Sequence, residues 1–493
     1  TRSLCDWSSD VCSSDLICRR KCPSLVGGNF DPVAMFPSRL DATIVRGDAE
    51  DVVNAVEHRR AALRKLHHVG ETHVSHDSDF NPDVDMQQSI SAVMEEWIAF
   101  AVPPLVAQLE QGTAPAEFVH PAHGLHHIVR IFPSLNVCES VGRLGVCEVV
   151  CRALGISVEA EHWESVEPLL GCLRWVCAWG GTYAMRVQSN LGRVGECNGV
   201  EVLVQVAQHV TSSVPASTVQ LVWDCIWRVS YSGEQMCRFG VLGCCELLIE
   251  ALNSEITLPS VVECMCGAVA TLACDSSNCE RFVAAGMCEL LVRVLAQHMS
   301  EVIVLEVACR AIQNLGVSND NVARLGNAGG CELLVRALEQ HMCVVDVVER
   351  VCRAIQNLST NDANVARLGN AGGCELLVRA LEQHMCVVGV VERACGAMAN
   401  LGANDENAAR LGSAGGCELL VRVLEQHMCV VGVVEVVCRA IWNLSVSNDN
   451  AARLGIAGAC ELLVRTLGKH ISVAYVANSA RGANQNLSAR RAV

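Results

Sequence analysis

The chain has 493 residues, of which 51% are hydrophobic but only 4% aromatic, and a formal net charge of −16 from 53 acidic and 37 basic side chains. A net negative chain without clustered positive charge is ill suited to grip phosphates, which argues against a nucleic-acid partner. No run of 18 apolar residues free of charge occurs, so membrane insertion is not expected.

Asp6 to Leu16 reads DWSSDVCSSDL, which looks like a translated sequencing-library adapter; residues 1–16 are expected to be an artefact. The stretch lacks the basic start and apolar centre of a targeting peptide. Residues 17–85 read as a variable, partly disordered leader with one helix, Asp51–His67, and an acidic linker, Glu71–Asp85. Asp77, Asp79 and Asn81 open like a calcium loop. Pro82 stands where the sharp turn needs glycine, however, and Gln88 where a bidentate glutamate is needed.

A repeat array is expected over 86–490. Its first copies are loose: Val102 opens VPPLVAQLEQ, Cys147 opens CEVVCRAL and Val200 opens VEVLVQVAQH, with an insertion before the last. Between them, His120, His123, His126 and His127 fall in HPAHGLHH. No cysteine or acid completes a zinc site there, and a polar loop before a helix is expected. From residue 245 the array becomes regular. Cys-Glu-Leu-Leu starts at Cys245, Cys288, Cys331, Cys374, Cys417 and Cys460, each 43 residues after the last. A period of 40–47 residues marks helical arrays. The total is about nine units.

The unit from Cys331 serves as the pattern. Cys331, Leu334, Val335, Leu338 and Met342 form one stripe of a helix. Glu332 precedes Arg336 by four, the favoured order for a pair on a helix surface. Val344, Val347, Val348, Val351, Cys352, Ile355 and Leu358 mark a second helix. Ser359-Thr360-Asn361-Asp362 supplies turn and capping residues, and ANVARLG makes a short third helix before Gly372-Gly373. Three helices of this kind cannot bury both faces alone, so stacking must create a shared core. The 30 cysteines recur mostly at apolar helical positions and read as small buried hydrophobes in a reducing compartment. His298, His341, His384, His427 and His470 recur too far apart for one metal site and suggest loop or packing roles.

The run NDANVARLGNAGGCELLVRALEQHMCVVGVVERACGAMANLGANDEN resembles the armadillo repeat, strongly from Cys245 onward and weakly before Val200. The histidine after the second helix is similar to the armadillo region of leucine-rich-repeat kinases and to algal and protist repeat proteins. No kinase or GTPase motif accompanies it. The resemblance implies an all-α, right-handed α-solenoid acting as a protein-interaction scaffold, not an enzyme, with no cofactor and no small-molecule substrate, in the cytoplasm or nucleus. In such proteins an asparagine near the end of each groove-lining helix grips an extended peptide. The matching positions here are Asn314, Asn357, Asn400, Asn443 and Asn486; upstream they become Thr271 and Arg228. An amide both donates and accepts, as a peptide backbone requires. The same asparagines could instead crosslink adjacent repeats.

Nuclear-import adaptors of the family place tryptophan four residues before that asparagine. Here Arg310, Arg353, Gly396 and Arg439 stand there, so binding of nuclear-import signals is not implied. Arginine suits carboxylates through bidentate bonding, although Glu306, Glu349 and Glu435 lie one turn away. The expected partner is an extended acidic or neutral protein segment. The alternative is an armadillo fragment of a larger signalling protein, serving as spacer or oligomerisation surface; the array stops after a third helix without an evident polar cap, as a fragment would.

Overall fold

In the computed structural model the described residues are 98–99, 101–131, 135–179, 185–210, 214–255 and 258–491. The adapter-like segment, the leader with its helix and the acidic linker lie outside them. Two compact units are present, Thr1–Val202 and Leu203–Val493.

The first unit contains α1 (101–111), α2 (Pro115–Ile131), α3 (Leu135–Arg143), α4 (Val146–Glu159), α5 (Trp163–Cys177) and α6 (Gln188–Glu196). The insertion before Val200 is a small antiparallel pair, β1 (Ala178–Trp179) with β2 (Met185–Arg186), in the register Ala178 to Arg186. The histidine-rich HPAHGLHH is not a loop: it lies within α2. Phe118, Ala122, Leu125 and Val129 fall on one helical stripe and are buried, which carries the intervening histidines into the helix. His126 packs its ring on Gly171 of α5, 2.8 Å from where a Cβ would stand.

α7 (Gly199–His209) spans the division between the units. The second unit continues with α8 (Ala216–Val229), followed by six three-helix repeats. These are α9 (Gly233–Val241), α10 (Cys244–Glu255), α11 (Pro259–Leu272); α12 (Ser276–Ala284), α13 (Met287–Gln297), α14 (Val302–Leu315); and α15 (Asn319–Asn327), α16 (Gly330–Gln340), α17 (Val345–Leu358). Then come α18 (Asp362–Asn370), α19 (Gly373–Gln383), α20 (Val388–Leu401); α21 (Asp405–Ser413), α22 (Gly416–Gln426), α23 (Val431–Leu444); and α24 (Asn448–Ile456), α25 (Ala459–His470), α26 (Ala474–Arg491). Counted with the short helix first in each repeat, the third helices α8, α11, α14, α17, α20, α23 and α26 pack successively on one another.

The predicted stripes are the core: Cys331, Leu334, Val335, Leu338, Val347, Val348, Val351, Cys352, Ile355 and Leu358 are all buried. Each such aliphatic side chain contributes about 1.5–3 kcal/mol when fully buried. Asn361 caps α18 by accepting the Asn364 N–H at 3.2 Å. The two glycines after that helix serve different ends. Gly372 has φ 88°, a left-handed conformation open to glycine, and ends the short helix. A Cβ on Gly373 would lie 2.8 Å from the Leu368 carbonyl oxygen and 3.3 Å from Val335 of the preceding repeat.

Repeats are also stapled by polar groups. His341, His384, His427 and His470 each place Nε2 2.7 Å from the carbonyl oxygen of Met299, Met342, Met385 or Met428 in the preceding repeat. Their role is packing between repeats. A buried ladder on the short helices does the same. Asn364, Asn407 and Asn450 donate from Nδ2 to Val322, Val365 and Ala408 at 2.8, 2.9 and 2.8 Å. Gly326, Gly369 and Gly412 make room, since a Cβ there would overlap the asparagine Oδ1. Where this position is Val283, Asn321 has no bond to the matching carbonyl of Cys279 and keeps the one to Leu315 at 2.8 Å, which Asn364 also makes to Leu358 at 3.2 Å.

The surface charges pair differently from the expectation for Glu332 and Arg336. Glu332 faces Arg367 of the next repeat at 3.9 Å; Glu289–Arg324 and Glu418–Arg453 repeat this at 2.9 and 3.7 Å. The arginine is held there because its guanidinium also donates to a short-helix carbonyl, as Arg367 does to Gly326 at 3.1 Å. That anchor directs it to the acid in the first turn of the neighbouring helix.

Candidate functional site

The candidate site is the polar face of the third helices in the second unit. Val347, Val348, Val351, Cys352 and Ile355 are spent on the core of α17, so Asp346, Glu349, Arg350, Arg353 and Asn357 fall on the opposite side, half-buried or exposed. The same face recurs on α14, α20, α23 and α26.

All five expected asparagines lie on this face and are half-buried. Each donates from Nδ2 to a third-helix carbonyl of the preceding repeat: Asn314 to Ala270 at 2.6 Å, Asn357 to Gln313 at 3.2 Å, Asn400 to Gln356 at 2.9 Å, Asn443 to Ala399 at 2.8 Å and Asn486 to Trp442 at 3.4 Å. They therefore crosslink repeats. Asn400 and Asn486 give a second hydrogen to Ser359 and Ser445, at 3.2 and 3.1 Å. The Oδ1 of Asn314 accepts from Gln313 at 3.3 Å. Among the described residues, no donor reaches Oδ1 of Asn357, Asn400 or Asn443. The array thus leaves a row of amide acceptors after its own crosslinks are made. The ladder stops upstream: Thr271 bonds back to Gly267 at 3.0 Å, and Arg228 pairs with Asp224 at 2.8 Å in a buried ion pair.

The three expected arginines are also on this face. Arg310 crosses two repeats: its guanidinium lies 5.3 Å from the Trp227 ring centroid and Nη1 is 3.5 Å from the Tyr231 hydroxyl. Its Nε and Nη2 are buried with no acceptor among the described residues, as is Nε of Arg439. Arg353 titrates below the ordinary arginine range, first because burial disfavours its charge, then because Arg393 and Arg350 stand near; Glu349 and Glu392 oppose this only in part. Arg393 is itself 3.3 Å from Glu392.

A size rule on this face was not read from the sequence. Each slot between neighbouring third helices is shared by residues on both. Trp227 lies over Gly267, Gln356 over Gly396 and Trp442 over Gly482. Where the earlier residue is small, at Ala270 and Ala399, the later one is Arg310 or Arg439; the slot of Gln313 and Arg353 departs from this and holds two long side chains. The glycines in the arginine register are thus places where the preceding repeat sends in a ring or an amide. Trp442, 41% exposed, presents its indole at the surface beside Asn443. A pairwise reading at an offset of 40, beside the repeat of 43, would have found this.

A separate open cleft of about 240 Å³ lies between α7, α8, α10 and α11, with Trp223, Leu247, Glu250 and Met265 among its walls. None of the expected site residues borders it. Among the described residues, no helix is long and apolar enough to cross a membrane.

No family model matches the sequence, and no curated protein matches it either. Solved structures do. An engineered protein superposes with a TM-score of 0.67 at 22% identity, covering 86% of this chain and 99% of that one. A chain from a structure of the interaction between cadherin and beta-catenin gives 0.65 at 15% identity, covering 97% and 95%. A computationally designed armadillo repeat protein for modular peptide recognition gives 0.42 at 25% identity, covering 48% and 98%. With its three-helix units, glycine turns and stacked third helices, the chain has the all-α solenoid fold of the armadillo-repeat proteins.

Proposed function

We propose that the third-helix face of the second unit holds an extended, acidic segment of a protein partner. The observation that supports this reading is the crowding of cationic groups around Arg353. Arg350, Arg353 and Arg393 share one stretch of the face, and burial and mutual repulsion lower the pKa of Arg353. An incoming carboxylate relieves that repulsion and satisfies the planar guanidinium. The spare Oδ1 acceptors of Asn357, Asn400 and Asn443 would take backbone N–H groups of the same segment. Binding by a row of amides sets direction and register; the arginines select for charge.

The test uses the full chain and two fluorescein-labelled extended peptides, alternating glycine with glutamate or glycine with lysine. Anisotropy should show binding of the glutamate peptide only, weakening as salt is raised. Arg353→Gln with Arg393→Gln should reduce that affinity about tenfold or more, the loss of one charge-assisted contact of about 1.5–3 kcal/mol. Asn357→Ala with Asn400→Ala should weaken both peptide affinity and repeat stacking, so its fold is checked by circular dichroism. Equal affinity for the two peptides would sink the charge assignment.

A further inference from the structure

The first unit holds a group of cysteines that the repeat pattern does not require to meet. Cys147 and Cys151 lie one turn apart on α4, and Cys197 follows the last residue of α6. The Cys197 sulfur is 3.8 Å from the Cys147 carbonyl oxygen and 3.5 Å from that of Val194, and it hydrogen-bonds with the Cys151 thiol. Gly199 permits this approach: a Cβ there would stand 2.8 Å from the Cys151 sulfur. Cys197 is half-buried, whereas Cys151 is fully enclosed.

We infer that Cys197 is a peroxide-reactive thiol and that Cys151 resolves it into a disulfide joining α4 to the turn after α6. The reactive form is the thiolate, and its formation depends on local donors and charge. The Cys151 hydrogen bond holds the Cys197 thiol below the ordinary range, against the opposing effects of burial and of Glu148. Glu148 is itself paired with Arg193 at 3.1 Å, which moderates its effect. In the first step the Cys197 sulfur attacks hydrogen peroxide. An S–O bond forms, the O–O bond breaks, and hydroxide leaves to be protonated to water, giving a sulfenic acid. In the second, the Cys151 thiol, which its hydrogen bond to Cys197 and its burial keep protonated until then, gives up its proton as its sulfur attacks that sulfur. The S–S bond forms, the S–O bond breaks, and the departing hydroxide takes the Cys151 proton as a second water. Two thiols are oxidised, one peroxide is reduced, and no further reactant is needed.

Three exposed thiols of the second unit are engaged differently. Cys343, Cys386 and Cys429 accept from Gln383, Gln426 and Lys469 of the following repeat, none of them a thiol. Oxidation there has no resolving sulfur and would continue to higher oxides or to cysteines of other molecules.

The test treats the reduced full chain with hydrogen peroxide, alkylates it and maps its peptides without reductant. The expected product joins the Cys151 and Cys197 peptides, two hydrogens lighter than their sum. Cys197→Ala should abolish it. Cys151→Ala should leave a sulfenic acid on Cys197 that dimedone captures; if that variant is poorly folded, early dimedone capture on the unmodified chain gives the same information. The inference is overturned if Cys197 is joined to Cys147 or Cys177, or if it stays fully alkylatable at a dose that has oxidised Cys343.

Discussion

Two ladders of asparagine run through the second unit with the same period of 43, and the molecule uses them differently. On the short helices, Asn364, Asn407 and Asn450 are buried, and each faces a glycine of the previous repeat. On the third helices, Asn357, Asn400 and Asn443 are half-buried and keep an acceptor after crosslinking. Cysteine shows the same division: Cys331, Cys374 and Cys417 are buried, whereas Cys343, Cys386 and Cys429 are exposed. Period alone therefore marks what recurs, while burial decides whether the recurring group is consumed by the stack or left for another molecule.

The largest effect that would sharpen this comparison is alkaline. Burial pushes Cys266, Cys309, Cys352 and Cys438 up to about 12 from an ordinary value of 9.0. The unfolded chain releases these protons first, so the stability they confer is complete below pH 9 and lost as pH rises toward 12. Each such thiol contributes roughly 1.4 kcal/mol per pH unit within that window. Urea midpoints should hold from neutral pH to about pH 9 and then fall steeply. A flat profile to about pH 11 would mean that the buried cysteine ladder is not closed to solvent.

Next in size is the glycine that faces a buried asparagine. Gly369→Val should destabilise the array by about 1–3 kcal/mol through overpacking against Asn407. Val283 shows what such a side chain costs, because Asn321 there lacks the carbonyl bond that Asn364 makes to Val322. Adding Asn407→Ala should therefore restore part of the loss, a coupling that a double-mutant cycle in urea reads directly.

Most of the stack was legible from the sequence, because a 43-residue period and the apolar offsets within it follow from helix geometry and burial. Helix boundaries from Cys331 to Leu358 agree to within a residue or two. What escaped was contact between repeats. The histidine-to-methionine staples join residues 42 apart in the chain, and the tryptophan–glycine slots join residues 40 apart. Neither offset is the repeat length, because a side chain reaches across to a different position of its neighbour. HPAHGLHH was misread as a loop for a related reason: proline and four histidines obscure the stripe of Phe118, Ala122, Leu125 and Val129. The candidate arginines and asparagines were found by register, but their unpartnered atoms could be seen only in three dimensions.

The asparagine ladders give a finer contrast. Asn407→Ala removes a buried amide and its hydrogen bond to the Val365 carbonyl, leaving a cavity beside Gly369 and costing about 1–3 kcal/mol. Asn443→Ala removes a half-buried one, whose Ala399 carbonyl water can reach on relaxation, costing about 0.5–1.5 kcal/mol. Equal losses in urea unfolding would erase the distinction between a staple and a site.

The smallest effect belongs to the charges between repeats. Glu332 and Arg367 are 3.9 Å apart with their side chains 51% and 38% exposed, so water and salt screen most of their attraction. Arg367 also keeps its bond to the Gly326 carbonyl when the acid is gone. Glu332→Gln should therefore shift stability by less than about 0.5 kcal/mol, and the shift should vanish in high salt. A loss above about 1 kcal/mol would show that the pair orients the arginine on that carbonyl instead of being placed by it. Measuring Arg367→Gln beside it separates the two: if the carbonyl anchors the guanidinium, the arginine variant loses more than the glutamate variant, and the excess belongs to a hydrogen bond across the short helices.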